Sequence, residues 1–326
     1  MSKDIKRVLI IDALNMYYRA YIVDPSLSTN GQPIGGMKGF IKILQKMLRE
    51  MKPDQIIIAW DGDGGSKKRR IINKNYKSGR KPIRLNRDIR NMSEQEEIQN
   101  KIWQQTRLIG YLNEMPINQI VLDGVEADDV IAYIVQLPSF KDHQKIIISS
   151  DKDYIQLCDD KTVLFRPVQK EILNKKRIVD SYGIHPLNFA LARAIVGDKS
   201  DNLKGVGSVG LKTVAKRFPF LSEEKSYMIS EIVDVCKNSE EDLKVYTNIL
   251  ENKKVVEQNY KMMQLYSPNI SIQGKQKVRT SVEEMKNTFN KTKVVKMMIE
   301  DGFGTYDWTD LFQTFKRVVV KNKNAN

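Results

Sequence analysis

Four short apolar runs punctuate the first half of the chain: RVLIID at Arg7–Asp12, QIIIAWD at Gln55–Asp61, NQIVLDG at Asn118–Gly124 and KIIISSD at Lys145–Asp151. Continuous β-branched runs of this length, without polar alternation, mark strands covered on both faces of a parallel sheet. Between them the pattern changes to a helical period, as in GFIKILQKML at Gly39–Leu48 and EEIQNKIWQQTRLIGYLNEM at Glu96–Met115. Strands alternating with helices predict a doubly wound, mostly parallel α/β domain over residues 1–180. Beyond Asp180 the strand signal fades. LARAIVGD, KTVAKRF and the long segment Ser226–Leu265 predict a mostly helical region over 181–326, and the end, KNKNAN, predicts a frayed tail.

Charge changes this picture first. Lys and Arg total 54 against 40 Asp and Glu, a net +14 over 326 residues, which points to a polyanionic partner such as nucleic acid or an anionic membrane surface. No apolar stretch approaches the roughly 20 residues of a membrane span, and MSKDIKRVLIIDALNMYY lacks a signal-peptide core, so a cytoplasmic location is expected. Cys158 and Cys236 form no CxxC pair, and His143 and His185 are the only histidines. A disulfide framework, a zinc site and a Cys/His or Ser/His dyad all lack parts, which leaves carboxylates to carry any chemistry.

Those carboxylates fall at strand ends. Asp12 closes the first run, Asp61 the second, Glu126, Asp128 and Asp129 follow the third, and Asp151 closes the fourth with Asp153 just after it. In an open parallel sheet, ligands bind outside the carboxyl ends of the strands, so these acids converge on one crevice. One acid would suffice to start the helix after Gly124. Glu126 and Asp129 share a helix face and repel unless something positive lies between them, and a metal ion is a candidate. Asp198 and Asp201, in IVGDKSDN, reach the same crevice from the helical part or form a polar loop. An oxygen-only set suits hard divalent ions such as Mg²⁺ or Mn²⁺, and two of them suit phosphodiester hydrolysis.

Directly after Asp61, the segment Lys67–Arg90 holds eleven Lys or Arg and a single acid, Asp88. Phosphate-binding cations therefore stand beside the crevice, with Lys77 and Arg69 as candidates for the scissile phosphate or its 5′ end. Tyr76, the lone aromatic there, stacks on a base or packs on apolar neighbours. A second loop, GVGSVGLKTVAKRF at Gly205–Phe218, leads into a basic helix carrying Lys212, Lys216 and Arg217. Its GxGxxG spacing lacks the preceding strand of a dinucleotide fingerprint. Closely approaching backbone N–H groups before a basic helix instead grip a phosphate backbone, or simply turn the chain between helices.

In the order IIDALNMYYRAY, WDG with a basic arch, GVEADD, SSDKDYIQL and GDKSDNLKGVGSVGLKT, residues Val8–Phe218 resemble the 5′-nuclease or flap endonuclease family. In style they are most like the stand-alone bacteriophage 5′-to-3′ exonucleases of the phage RNase H type and the 5′-nuclease domain of bacterial DNA polymerase I. The resemblance implies a PIN-like core, an arch over residues 64–100 and a helix-hairpin-type turn at 205–218 that binds duplex DNA. It implies two Mg²⁺ sites. Asp12, Asp61, Glu126, Asp128 and Asp151 match the denser one, and Asp129, Asp153, Asp198 and Asp201 match the second. Lys77 matches the arch lysine that assists cleavage and Arg69 an arch arginine, although DGDGGSKKRR leaves the register between Arg69 and Arg70 open and gives Asp63 no role. DNA contacts are implied for Arg70, Tyr76, Arg80, Lys81, Gly205, Gly207, Ser208, Gly210 and Lys212, with K⁺ at the loop in some members.

The expected function is a Mg²⁺-dependent 5′-nuclease that removes RNA primers or 5′ flaps in phage or bacterial-type replication. Expected partners are flapped or nicked DNA and RNA/DNA hybrids, with a single-strand-binding protein or clamp on the C-terminal helices of a monomer. If the chain is phage-encoded, its place is the host cytoplasm. Three other readings are a catalytically inactive structure-specific DNA-binding protein, a phosphatase or phosphotransferase with an Asp nucleophile, and a PIN-type ribonuclease. Inactivity predicts missing carboxylates, a phosphatase has little use for eleven cations, and a PIN ribonuclease does not need the GVGSVG loop.

Overall fold

The structure, a computed structural model, describes residues 5–89, 92–241, 243–284, 286 and 288–323. Among these, strands β1 (Arg7–Asp12), β2 (Gln55–Trp60), β3 (Asn118–Val121), β4 (Gln144–Ile148) and β5 (Thr162–Arg166) run parallel, and β6 (Glu171–Leu173) returns antiparallel. Their spatial order is β3-β2-β1-β4-β5-β6. The four predicted strands are therefore present, β1 at its expected bounds and the other three within three residues of theirs. The last two extend the expected sheet. Thr162–Arg166 was not expected because its apolar run is only three residues long, and β6 is a three-residue edge strand held by its hairpin.

Successive side chains of β1 and β2 enter opposite layers, as the period of two requires. Val8, Ile10, Ile57 and Ala59 face one layer with α5 (Ala127–Val135). Leu9, Ile11, Ile56 and Ile58 face the other, with α1 (Ala13–Val23), α2 (Gly35–Met51) and α4 (Glu94–Asn113). All six residues of β2 are buried, which is why the run carries no polar alternation. A capping box starts α4: the Ser93 hydroxyl accepts the Glu96 N–H, and the Glu96 carboxylate accepts the Ser93 N–H at 2.7 Å.

Residues 73–89 of the arch are turns and irregular chain that follow the short α3 (Lys67–Ile72), and Arg90 lies outside the described residues. The helical part holds α6 (Lys175–Tyr182), α7 (Pro186–Val196) and α8 (Leu211–Arg217). The segment Ser226–Leu265 is three helices, α9 (Ile229–Asn238), α10 (Lys244–Glu251) and α11 (Lys253–Met263), broken near Ser239 and Asn252. Then α12 (Ile272–Glu283) joins the α5 layer. Val294 and Met298 of α13 (Lys291–Glu300) and Leu311 and Phe315 of α14 (Trp308–Lys323) enter the layer of Leu9 and Ile11. Helix α14 runs into the expected tail as far as Lys323, and the rest of that tail lies outside the described residues.

Ile10 is completely buried at the middle of the central strand, whereas Ile71 on α3 is 82% exposed. Ile10→Ala is expected to lower stability by about 2–5 kcal/mol, and Ile71→Ala by less than about 0.5 kcal/mol, read as urea midpoints of the metal-free chain.

Candidate active site

The strand order reverses direction between β1 and β4, and a crevice of about 540 Å³ opens outside their carboxyl ends. Asp12, Asp61, Glu126, Asp128 and Asp151 line it, facing Arg70, Lys77 and Arg80 of the arch. Each acid is held by the turn after its strand. Asp12 caps α1 by accepting the Asn15 N–H at 3.1 Å and takes the Ser149 hydroxyl at 3.0 Å on its other oxygen. Asp61, not Glu126, caps α5, accepting the Ala127 N–H at 2.8 Å. Asp151 accepts the Asp153 N–H at 2.8 Å, and Asp128 the Tyr154 hydroxyl at 2.6 Å.

The acids press on one another. Burial first, then the Asp128 charge, holds the Asp12 carboxyl well above the usual range. The same two causes raise Asp61. They push Asp151 up to about 6. Asp153 also rises, through burial and then Asp151. Among the described residues no three of these carboxylates already close on a point that would hold an ion. Their oxygen chemistry and mutual repulsion still fit a hard divalent cation, which would draw them together.

The positive group that the spacing of Glu126 and Asp129 demands is here an arginine. The Arg69 guanidinium lies between them, donating to Glu126 and, at 2.9 Å, to Asp129, while its Nε donates to the Met262 carbonyl at 3.0 Å. Arg69 is 8% exposed and stays out of the crevice that Arg70 lines. Asp129 also accepts the Asn269 N–H at 2.9 Å, so it too is tied into the protein.

Tyr76 is buried with Leu203, Met262 and Met263, and its hydroxyl donates to Glu126 at 3.2 Å. Of the two roles open to it, apolar packing is the one observed. Lys77 donates from Nζ to Glu126 at 2.7 Å and from its backbone N–H to the Asp201 carbonyl at 2.9 Å. Its φ is +56°, a left-handed conformation that costs a lysine about 1 kcal/mol or more, so the surrounding contacts hold this turn against strain. Burial lowers the Lys77 ammonium, but Asp128 and Glu126 outweigh it and raise it, so it stays charged. Lys81 is exposed beside Arg80, whose guanidinium binds Asp201.

Asp153 and Asp198 do not line the crevice. Both are bound by Arg193, which was not singled out although it lies within LARAIVGD, five residues before Asp198. Tyr154, Asn15 and Tyr18 were likewise unforeseen, although Tyr154 sits inside SSDKDYIQL. Their signal would have been adjacency to strand-end acids.

The glycine loop sits apart, on a groove of about 660 Å³ lined by Gly205, Ser208, Gly210, Lys199 and Lys204. A two-residue strand, β8 (Leu203–Lys204), does precede it, contrary to expectation, paired antiparallel with β7 (Gly197–Asp198). A ribbon of that kind is no βαβ unit, so the dinucleotide context stays absent. A Cβ on Gly205 would stand 1.9 Å from the Val196 carbonyl oxygen, so this glycine is required by the close chain crossing. Gly207 and Gly210 face open space, Ser208 has φ +62°, and Lys212 lies in the first turn of α8. Among the described residues no helix is long and apolar enough to cross a membrane.

A doubly wound sheet with a strand-end carboxylate crevice beneath a basic arch defines a PIN-like nuclease class. Residues 7–183 match the family described as 5′-3′ exonuclease, N-terminal resolvase-like domain. The chain belongs to the 5′-3′ exonuclease family. It is 28% identical over 267 residues to a 5′-3′ exonuclease of Aquifex aeolicus, covering 80% of this chain and 82% of that one. It is 33% identical over 213 residues to a 5′-3′ exonuclease of Buchnera aphidicola, covering 64% and 68%. DNA polymerase I of Caldicellulosiruptor bescii is 30% identical over 242 residues, and there the match covers 72% of this chain but 26% of the polymerase. Bacteriophage T5 5′-exonuclease with bound zinc shares the fold at a TM-score of 0.68 and 18% identity, over 86% of this chain and all of that one. The T5 flap endonuclease in complex with DNA and metal ions follows at 0.63 and 17%, over 92% and 100%.

Because Asp151 is raised in the folded chain, the folded state holds its proton more tightly than the unfolded one. That contribution to stability is full below the ordinary value of 3.8 and is lost as pH rises through about 6. In EDTA, Asp151→Asn is expected to raise the melting temperature at pH 8, equivalent to about 1–3 kcal/mol, and to leave it nearly unchanged at pH 4, by calorimetry.

Proposed function

We propose that this chain is a Mg²⁺- or Mn²⁺-dependent 5′-to-3′ exonuclease and flap endonuclease that cuts phosphodiester bonds near 5′ ends of DNA or RNA-primed DNA. Its role is to remove RNA primers or flaps in replication. One observation carries the reading: Asp12, Asp61, Asp128 and Asp151 face Arg70, Lys77 and Arg80 across one crevice. The acids alone would expel a phosphodiester, so the arch cations are useful only if further positive charge joins the acid wall.

Asp12, Asp61, Asp128 and Asp151 would hold divalent ions, with Glu126 beside them. The chemistry such ions supply when bound is charge stabilisation of the attacking and leaving oxygens. Lys77, fixed in its strained turn, presents an ammonium to the scissile phosphate and can exchange Glu126 for it. Arg70 and Arg80 bind the flanking phosphates and orient the strand for in-line attack. The Gly205–Gly210 loop and Lys212 grip the duplex backbone at a distance from the cut, where the open space around Gly207 and Gly210 lets a phosphate backbone approach closely.

A duplex with a 5′ flap, labelled at either end, tests this. Mg²⁺ is expected to release 5′ fragments and EDTA to stop it. Asp151→Asn should abolish cleavage with duplex binding retained, and Lys77→Ala should slow single-turnover cleavage roughly 10²–10³-fold. Tight binding with no cleavage in Mg²⁺ or Mn²⁺ would sink the reading.

A further inference from the structure

The acids of this molecule fall into two electrostatic kinds. Asp12, Asp61, Asp128 and Asp151 lean on hydrogen-bond donors and on one another. Asp153 and Asp198 instead share a cation that belongs to the chain. Arg193, near the end of α7, donates from Nε to Asp153 at 3.2 Å, from Nη2 to Asp198, and from Nη1 to the Gly197 carbonyl at 3.3 Å. Its side chain is 11% exposed and both carboxylates are 17% exposed, so the triad is largely removed from water.

The fork also joins two pieces of chain. Asp153 stands on the turn after β4, two residues from Asp151, and Asp198 ends β7, the first strand of the β7–β8 ribbon. There its other oxygen takes the Ser200 N–H at 2.6 Å and the Ser200 hydroxyl at 2.7 Å. Nothing in the function proposed above uses Arg193.

We propose that Arg193 is a positioning residue that acts as a built-in counter-cation. It holds the Asp153 and Asp198 carboxylates together before any ion binds, so a divalent ion reaches them only by displacing the guanidinium. The inference rests on the metal-dependent reading of the crevice. Its physical basis is the asymmetry of buried ion pairs: removing the cation leaves two desolvated like charges that seek another cation. Two classes of divalent ion follow, a tight one among the strand-end acids and a weak one on the Arg193 side. A site whose open form is rarely populated loses affinity by that fraction.

Mn²⁺ titration of the full chain without DNA, followed by the electron paramagnetic resonance signal of free Mn²⁺, tests it alongside melting in EDTA. The native chain is expected to show one tight ion and a second, weaker class. In Arg193→Gln the second class should tighten about tenfold or more, while melting in EDTA falls and Mn²⁺ restores it. Arg193→Lys keeps the charge without the fork and should lie between the two, which preserves the test if Arg193→Gln folds only with Mn²⁺. A Mn²⁺ isotherm of either variant that superimposes on the native one, or a loss of melting temperature that Mn²⁺ does not restore, would overturn the inference. A native chain that shows both classes yet leaves flap DNA uncut would remove the nuclease reading and leave this one standing.

Discussion

Repulsion among carboxylates gathered at one edge of a parallel sheet is the constraint on which the rest of this structure depends. Parallel strands all end on the same side, and β1, β2, β3 and β4 each end within a few residues of an acid. Asp128 stands at the centre of the conflict, since its charge raises Asp12, Asp61 and Asp151 alike. The fold tolerates this by giving each acid a donor. Helix N-terminal N–H groups serve Asp12 and Asp61, a turn N–H serves Asp151, and the Tyr154 hydroxyl serves Asp128. Such bonds localise the acids without neutralising them, and the crevice remains short of positive charge.

The arch answers part of that shortage and is shaped by it. Arg69 locks its base to α5 and α11, Tyr76 fills an apolar gap beside Met262, and Arg80 and Lys77 fasten its middle to the Ser200–Asp201 turn. A segment with almost no regular hydrogen-bonded structure is thereby held in place by ion pairs and buried anchors. The unfavourable φ of Lys77 belongs to the same arrangement. Its backbone N–H and its ammonium must reach Asp201 and Glu126 at once, and a left-handed residue at the turn allows both.

What was legible in the sequence follows from these physics. Strands buried on both faces announce themselves by unbroken apolar runs, so β1 to β4 were readable, whereas β5 and β6 are too short for periodicity to register. The strand-end acids were readable because topology alone sends them to one edge. Which cations serve them was not, since that depends on the path of irregular chain. Arg69 and Arg70 are adjacent in sequence, yet one is buried in a salt bridge and the other lines the crevice. Tyr76 was ambiguous for the same reason, and Arg193 was invisible because its partners lie 40 residues before it and five after. The helices after Gly210 were readable as helices. Their return to both faces of the sheet is decided by tertiary packing that no local pattern carries.

The charge crowded into this crevice is moderated in two ways. One is protons: Asp12, Asp61, Asp151 and Asp153 are all raised, so each holds a proton to higher pH than an ordinary aspartate. The other is the chain's own cations, with Lys77 and Arg69 on Glu126, Arg80 on Asp201 and Arg193 on Asp153 and Asp198. Under the proposed function, both would compete with a divalent ion, one by mass action of protons and the other by displacement. Under that function, the same basic residues that pair with these acids would be freed to meet phosphate once divalent ions replaced them. Acid wall and basic arch therefore form one electrostatic unit, in which charge gained on one side releases charge on the other.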